Sequence, residues 1–476
     1  MMSNDDAVNH PSPDHLQRKL QNRHLQLIAI GGAIGTGLFM GSGKTISLAG
    51  PSIIFIYMII GLMVFFVMRA LGELLLSNLH YKSFVDLAYD LLGPWAGFFT
   101  GWTYWLCWVS ICIADLTAIV SYLNSLAPML GWMPEGYQFT PLGGAAISAG
   151  SVLFLMGLNL LTVKLFGEVE FWFALIKIVA IVALIAAGLY MVVTAFTSPS
   201  GSVASIANLW NDGGMFPNGT QGFLAGFQIA IFAFVGIELV GTTAAETKDP
   251  EKNLPKAINS IPIRIILFYV LSLVVVMSVT PWRSVVADKS PFVELFLLAG
   301  IPVAAIVMNL VVLSSVMSSM NSGIFSTSRM LFGLAVDKQA PSFFQKLSRV
   351  AVPANGLIFS CVLIMCGALL QYFVPNTITA FTLVTTLSTI LFICVWIVVL
   401  LSYIQYRKTR PQLHAASKFK MPGGVAVSYL VIAFFVFTVF ILSLEADTRQ
   451  SLMVSPIWLV ILAIGYMVMK KRKSQS

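Results

Sequence analysis

The chain of 476 residues has little charge: only 10% of it is Asp, Glu, Lys or Arg, against about 25% in an average soluble domain. That deficit excludes a soluble enzyme and a disordered chain, which both need polar surface or charge to stay in water. Cysteine is scarce as well. The five present, at positions 107, 112, 361, 366 and 394, are an odd number in or beside apolar runs. They exclude a disulfide framework and read as packed thiols. The histidines, His10, His15, His24, His80 and His414, fall in the N-terminal tail or in expected loops. No paired carboxylates, metal-spaced His/Cys cluster or nucleophile–base constellation appears, so neither an enzyme nor a bound cofactor is expected. What abounds is apolar: 58% of residues are hydrophobic and the mean hydropathy is +0.87. Such a chain is expected to be an all-α polytopic membrane protein.

A crossing takes about 20 apolar residues. The first uncharged run lies between Arg23 and Lys44. Further spans are expected at 52–78, 94–126, 143–163, 168–195, 222–243, 259–280, 302–335, 354–373, 377–405, 424–444 and 455–470. This makes twelve transmembrane helices. Pro375 and Asn376 divide the long uncharged stretch 350–406 into two of them. With the N-terminus inside, 23 of the 28 Lys and Arg fall in inside segments and 4 in outside ones, and Lys177 lies within a span. Lys and Arg concentrate on the cytoplasmic side of membrane proteins, so both termini are expected in the cytoplasm. The basic residues therefore report topology, and no nucleic-acid partner is expected. The exterior loop 196–221 holds the sequon Asn218-Gly219-Thr220, read as loop chemistry. Arg69 to Pro94 reads as an amphipathic helix at the membrane face or else as helix extensions, Asp249 to Pro255 as a polar, Pro-bounded loop, and Lys470 to Lys473 as a surface anchor.

Two spans look built to break. Gly31-Gly32-Ala33-Ile34-Gly35-Thr36-Gly37 puts four glycines into seven residues of the first span. Small-residue packing is the alternative, since Gly31 and Gly35 have Gly-x-x-x-Gly spacing. Phe234-Val235-Gly236-Ile237-Glu238-Leu239-Val240-Gly241 joins glycine to a buried carboxylate in the sixth. Spans one and six are matching positions of two five-helix halves, and paired interruptions there point to a transporter site. A half-helix that starts in the membrane offers free N–H groups to a carboxylate, and one that ends there offers carbonyls to an ammonium. A zwitterionic amino acid fits both. Gly41-Ser42-Gly43-Lys44-Thr45 resembles the end of a phosphate-binding loop, but Leu38 stands where its first glycine is needed.

Ionisable groups inside a membrane cost about 2.5–3.5 kcal/mol each on insertion scales. Asp115, Lys177 and Glu238 are thus candidates for coupling transport to protons. Glu238 sits beside the sixth-span break and is suited to carry a proton. A fixed Lys177 ammonium is expected to hold free carbonyls of the first span, as a bound Na⁺ would. Asp115 is a plausible partner for it. In the eighth span, the small hydroxyl-rich run Ser314 to Gly323 includes Ser318 and Asn321 as candidate pocket wall. Trp102, Trp105 and Trp108 lie in the third, with Trp108 a further wall candidate.

The segments Gly31 to Phe39, Phe234 to Glu238 and Glu246-Thr247-Lys248-Asp249-Pro250 resemble the amino acid–polyamine–organocation superfamily, and within it the bacterial amino acid transporter family. Ser42 to Ser52, Leu209 to Gly214, Asn259 to Arg264 and Phe325 to Gly333 extend the resemblance over nearly the whole chain, within a branch that takes glycine, D-alanine and D-serine. The resemblance implies a five-plus-five inverted repeat with broken helices 1 and 6. It implies a tail at 1–23, helices 1–5 in 24–195, helices 6–10 in 222–405, helices 11–12 in 424–470 and a second tail at 471–476, in a bacterial inner membrane. It implies N–H groups of Thr36 and Gly37 toward the substrate carboxylate, and carbonyls of Ala33, Phe232 and Val235 toward the amine. Ile34, Gly35, Phe234 and Gly236 complete the implied substrate-binding set. Glu238 matches an acidic residue of the sixth helix, and Lys177 a lysine that replaces a sodium site. Asp115 falls where relatives are acidic. The expected activity is proton-coupled uptake of those small zwitterions, with membrane lipid as surroundings and no obligate protein partner. A permease for L-alanine or γ-aminobutyrate, or a channel or transceptor of the same fold, is the alternative. Bulk at Trp108 or Phe232 is expected to exclude large side chains.

Overall fold

The structure is a computed structural model that describes residues 34–81, 83–161, 163–239, 249–374 and 376–473. Among the described residues it is helical, with one isolated bridge, Thr197 to Val203, as its sole β pairing. Nine helical stretches among the described residues are long and apolar enough to cross a bilayer, and Gly219–Phe234 and Ala354–Cys366 are shorter apolar helices. In lipid every backbone polar group must be satisfied internally, which is why apolar sequence of this length becomes helix.

The elements that position the site are few. The first span enters through the turn Thr36–Phe39 (α1) and continues as Gly41–Ala49 (α2). Gly50, at φ 59°, then redirects the chain before Ile53–Ser77 (α3). A side chain at Gly50 would meet Pro217 at 2.5 Å as well as straining the backbone. Phe84–Leu92 (α4) is a short amphipathic helix begun by a capping box of Ser83 and Asp86. Pro94–Met129 (α5), Pro302–Val336 (α6) and Thr377–Thr409 (α7) form the centre, with α5 packed most extensively against the other two. Val163–Val193 (α8) packs against α6.

Several expected boundaries shift. Arg69 to Pro94 is not one helix: residues through Ser77 prolong the second span, extended Asn78 breaks it, and only Phe84–Leu92 is separate. The stretch from Asp249 to Pro255 is not a loop. Asp249, left-handed at φ 49°, precedes the helix Pro250–Asn259 (α9). Pro250 suits the first helical position, where no intrahelical N–H bond is lost, and Glu251 complements the dipole of that turn. The expected span 354–373 is interrupted at Gly367, and Asn376 begins α7 by accepting from the Thr379 N–H at 3.0 Å. Pro375, Gly31, Gly32, Ala33, Val240, Gly241 and Glu246 to Lys248 lie outside the described residues.

Candidate functional site

In the first span, Gly35 is extended (φ −135°, ψ −158°) ahead of α1. The Leu38 and Phe39 N–H groups both bond back to the Gly35 carbonyl, at 3.1 and 3.2 Å. Thr36 and Gly37 therefore carry the first N–H groups of the turn, which have no carbonyl one turn behind them within the helix. Two buried side chains fasten this bend from opposite sides. The Thr36 hydroxyl donates to Asp115 Oδ1 on α5. Lys177 Nζ on α8 donates to the Ile34 carbonyl at 3.3 Å, which also accepts from Ser315 Oγ at 3.1 Å.

In the sixth span the helix Gly219–Phe234 ends at Val235, which is extended (φ −66°, ψ 142°), and Gly236 follows at φ 97°. The positive φ requires glycine or strain. Glu238, almost fully buried, accepts from the Gly236 N–H at 3.2 Å and from the Tyr104 hydroxyl at 3.4 Å. Its carboxylate thus closes over the break that precedes it. The Tyr269 hydroxyl donates to the Ala233 carbonyl at 2.9 Å.

The two interruptions meet. A Cβ on Gly37 would lie 2.5 Å from Ala233 Cα and 2.9 Å from the Phe232 carbonyl oxygen. No side chain fits between these backbones. Beside this contact is a pocket of about 310 Å³ lined by Gly35, Thr36, Gly37, Trp108, Ile111, Asp115, Phe232, Ala233, Val235 and Ser319. Phe232 packs edge-on to Phe381, with centroids 6.0 Å apart. Trp108 packs edge-on to Tyr104 at 6.2 Å, which connects the wall to the Glu238 carboxylate.

Of the residues expected from sequence, Gly35, Thr36, Gly37, Trp108, Asp115, Phe232 and Val235 line this pocket. Ala33 lies outside the described residues. Phe234 turns away and stacks on Tyr269 at 5.1 Å. Ile34, Lys177, Gly236 and Glu238 lie behind the lining. Ser318 and Asn321 also turn away: Ser318 Oγ donates to Glu170 Oε1 at 2.6 Å and Asn321 Nδ2 to Oε2 at 3.5 Å. Residues three apart share a helix face and the next residue is rotated by about 100°, so Ser319 faces the pocket in their place. Ile111, Ala233 and Glu170 were not picked out from the sequence, and Ser319 only as part of the run Ser314 to Gly323. Glu170, at the end of an expected span, precedes Lys177 by two helical turns on one face, and that spacing was the available signal.

These features, interrupted apolar helices enclosing a small pocket with backbone groups and a buried carboxylate at its wall, belong to a membrane transporter. The chain belongs to the amino acid permease family, whose profile matches residues 24–476. It is a multi-pass membrane permease and not an enzyme. The D-serine/D-alanine/glycine transporter of Escherichia coli strain K12 is 62% identical over 464 residues, covering 98% of this chain and 96% of that protein. The amino-acid permease AapA of Bacillus subtilis strain 168 is 50% identical over 472 residues, 99% of each chain.

Proposed function

We propose that this permease imports glycine, D-alanine and D-serine with protons across a bacterial inner membrane, with both termini cytoplasmic. The observation that carries the reading is the backbone contact of Gly37 with Ala233 beside the pocket. It sets Gly37 against the Phe232 carbonyl, so that the N–H groups of Thr36 and Gly37 and the carbonyls of Phe232 and Val235, groups of opposite polarity, belong to residues that line one pocket. Such a grip reads the carboxylate and the ammonium and leaves handedness to the wall. With Trp108, Ile111 and Phe232 as wall, H, CH₃ or CH₂OH is accommodated in either hand, and larger side chains are excluded. The substrates that the 62%-identical relative is named for agree with that size limit.

The remaining roles follow. Glu238 and Asp115 carry the coupled proton, and Lys177 supplies a fixed positive charge in place of a bound cation. The proposed architecture has twelve crossings, with helices 1–5 in 24–195 and helices 6–10 in 222–405 as inverted repeats. Helices 11–12 follow in 424–470, with tails at 1–23 and 471–476. The one-sided distribution of Lys and Arg supports that orientation.

Proteoliposome uptake tests the reading. Labelled glycine, D-alanine and D-serine are expected to accumulate under an inward proton gradient in sodium-free buffer, with γ-aminobutyrate and leucine poor competitors. A requirement for Na⁺ at constant pH, or a preference for γ-aminobutyrate or L-alanine, would overturn it.

A further inference from the structure

Glu170 is completely buried on α8, and no role above uses it. Its surroundings suit a carboxylate. Oε1 accepts from the Ser318 hydroxyl at 2.6 Å and Oε2 from Asn321 Nδ2 at 3.5 Å. Asn159 Nδ2 donates to Asn321 Oδ1 at 2.7 Å, which turns the Asn321 amide so that its donor end faces Glu170. An ionised carboxylate offers acceptors only, so both donors are matched.

The direction of these bonds extends to the bend. Ser318 has one hydroxyl proton, and it points to Glu170. Toward Lys177 the same oxygen can then only accept, and Lys177 Nζ donates to it at 2.9 Å. The ammonium is held between this oxygen and the Ile34 carbonyl at 3.3 Å. Ile34 immediately precedes Gly35, Thr36 and Gly37 of the pocket wall. We propose that Glu170 is a positioning residue for substrate binding: through Ser318 it holds the Lys177 ammonium on the Ile34 carbonyl, and so fixes the bend that presents Thr36 and Gly37 to the substrate. This rests on the reading of that bend as the substrate's grip. A glutamine at 170 presents an N–H₂ to one of two groups that are both donors, and the Ser318 proton loses its fixed acceptor. The bend loosens while the pocket walls stay.

The test measures proton-driven glycine uptake in proteoliposomes for Glu170→Gln, Ser318→Ala, the double variant and Gly37→Ala, each first checked for monodisperse elution. Glu170→Gln and Ser318→Ala are each expected to raise KM about tenfold with the maximal rate within about threefold. The double variant is expected to match the worse single one, because both act through one chain of bonds. Unchanged KM in folded Glu170→Gln, a loss confined to maximal rate, or a double variant whose KM rises by the product of the single effects overturns the proposal. If Glu170→Gln does not fold, wild-type KM in Ser318→Ala overturns it alone. Gly37→Ala, whose added Cβ would meet Ala233 Cα at 2.5 Å and force the two breaks apart, separates the two readings. An unchanged KM there defeats the grip itself, whereas a raised KM with a silent Glu170→Gln defeats only the role of Glu170.

Discussion

Two glycines two positions apart in the first span have different reasons to be glycine. A Cβ on Gly35 would stand 3.8 Å from Ser319 Oγ, an ordinary contact, whereas one on Gly37 would stand 2.5 Å from the Ala233 backbone. Backbone cannot yield as a flexible side chain does, so Gly37→Ala must push the first and sixth spans apart. It is expected to lower uptake at least about tenfold, with Gly35→Ala within about threefold of wild type, on the scale at which a misplaced contact costs activity. Equal losses in the two variants, measured per folded transporter, would show that the close approach does not matter for transport. Phe232 gives a second residue-scale prediction. Its ring lines the pocket and rests on Phe381, so Phe232→Ala enlarges the space that receives the substrate side chain. Leucine and phenylalanine, poor competitors of glycine uptake in the wild type, are expected to compete in this variant. Unchanged competition assigns the size limit to another wall.

The interrupted sixth segment is the element where backbone and titratable group work together. The helix stops at Val235, Gly236 takes a left-handed φ, and the Glu238 carboxylate accepts the N–H freed at Gly236. Glu238→Gln keeps the shape and removes the exchangeable proton. Accumulation driven by a proton gradient is expected to fall at least about tenfold, while exchange of labelled for unlabelled glycine persists, because exchange needs no net proton movement. Accumulation at the wild-type level would remove Glu238 from the coupling role. This element was also the most legible in sequence, since glycine beside a carboxylate in an apolar run has few structural explanations. Helix starts were similarly plain where Pro94 and Pro302 occupy the first helical position. The rotation of a helix about its axis was not legible. In an all-round apolar membrane helix the hydrophobic pattern points nowhere, so Ser318 and Asn321 were preferred to Ser319, and Glu170 was passed over. Asp249 to Pro255 misled for a related reason: two prolines in a polar stretch resemble a loop, yet the first is compatible with a helix start.

At the scale of the whole molecule, the end that carries most of the basic residues is tied by the segment between α7 and Gly424–Leu442. Arg410 Nη2 lies 2.8 Å from Asp90 Oδ2, and its Nη1 donates to the Tyr81 hydroxyl at 2.9 Å, which itself donates to Asp90. Burial and the Asp90 hydrogen bond hold the Tyr81 phenol above its ordinary pKa, so it remains a neutral donor. Glu73, fully buried on α3, accepts from the Met421 N–H at 2.7 Å and lies 2.5 Å from His414 Nδ1. Arg69 sits 3.8 Å from the centroid of the Phe419 ring and donates to Asn259 Oδ1 at 2.7 Å. One segment thus fastens α3 and α4, and Arg69 of α3, which it also holds, carries the tie to α9, the helix that follows the sixth-span interruption in the chain. None of these contacts touches the pocket, so their loss should separate stability and rate from substrate affinity. Glu73→Ala leaves the Met421 N–H unpaired in a closed environment, at a cost of about 1–3 kcal/mol. A lower thermal midpoint in detergent is expected, with KM for glycine within about twofold of wild type, because a uniform binding change needs a contact with the substrate. An unchanged midpoint would mean that water replaces the carboxylate at the Met421 N–H, and a raised KM would mean that this distant segment sets the geometry of the pocket.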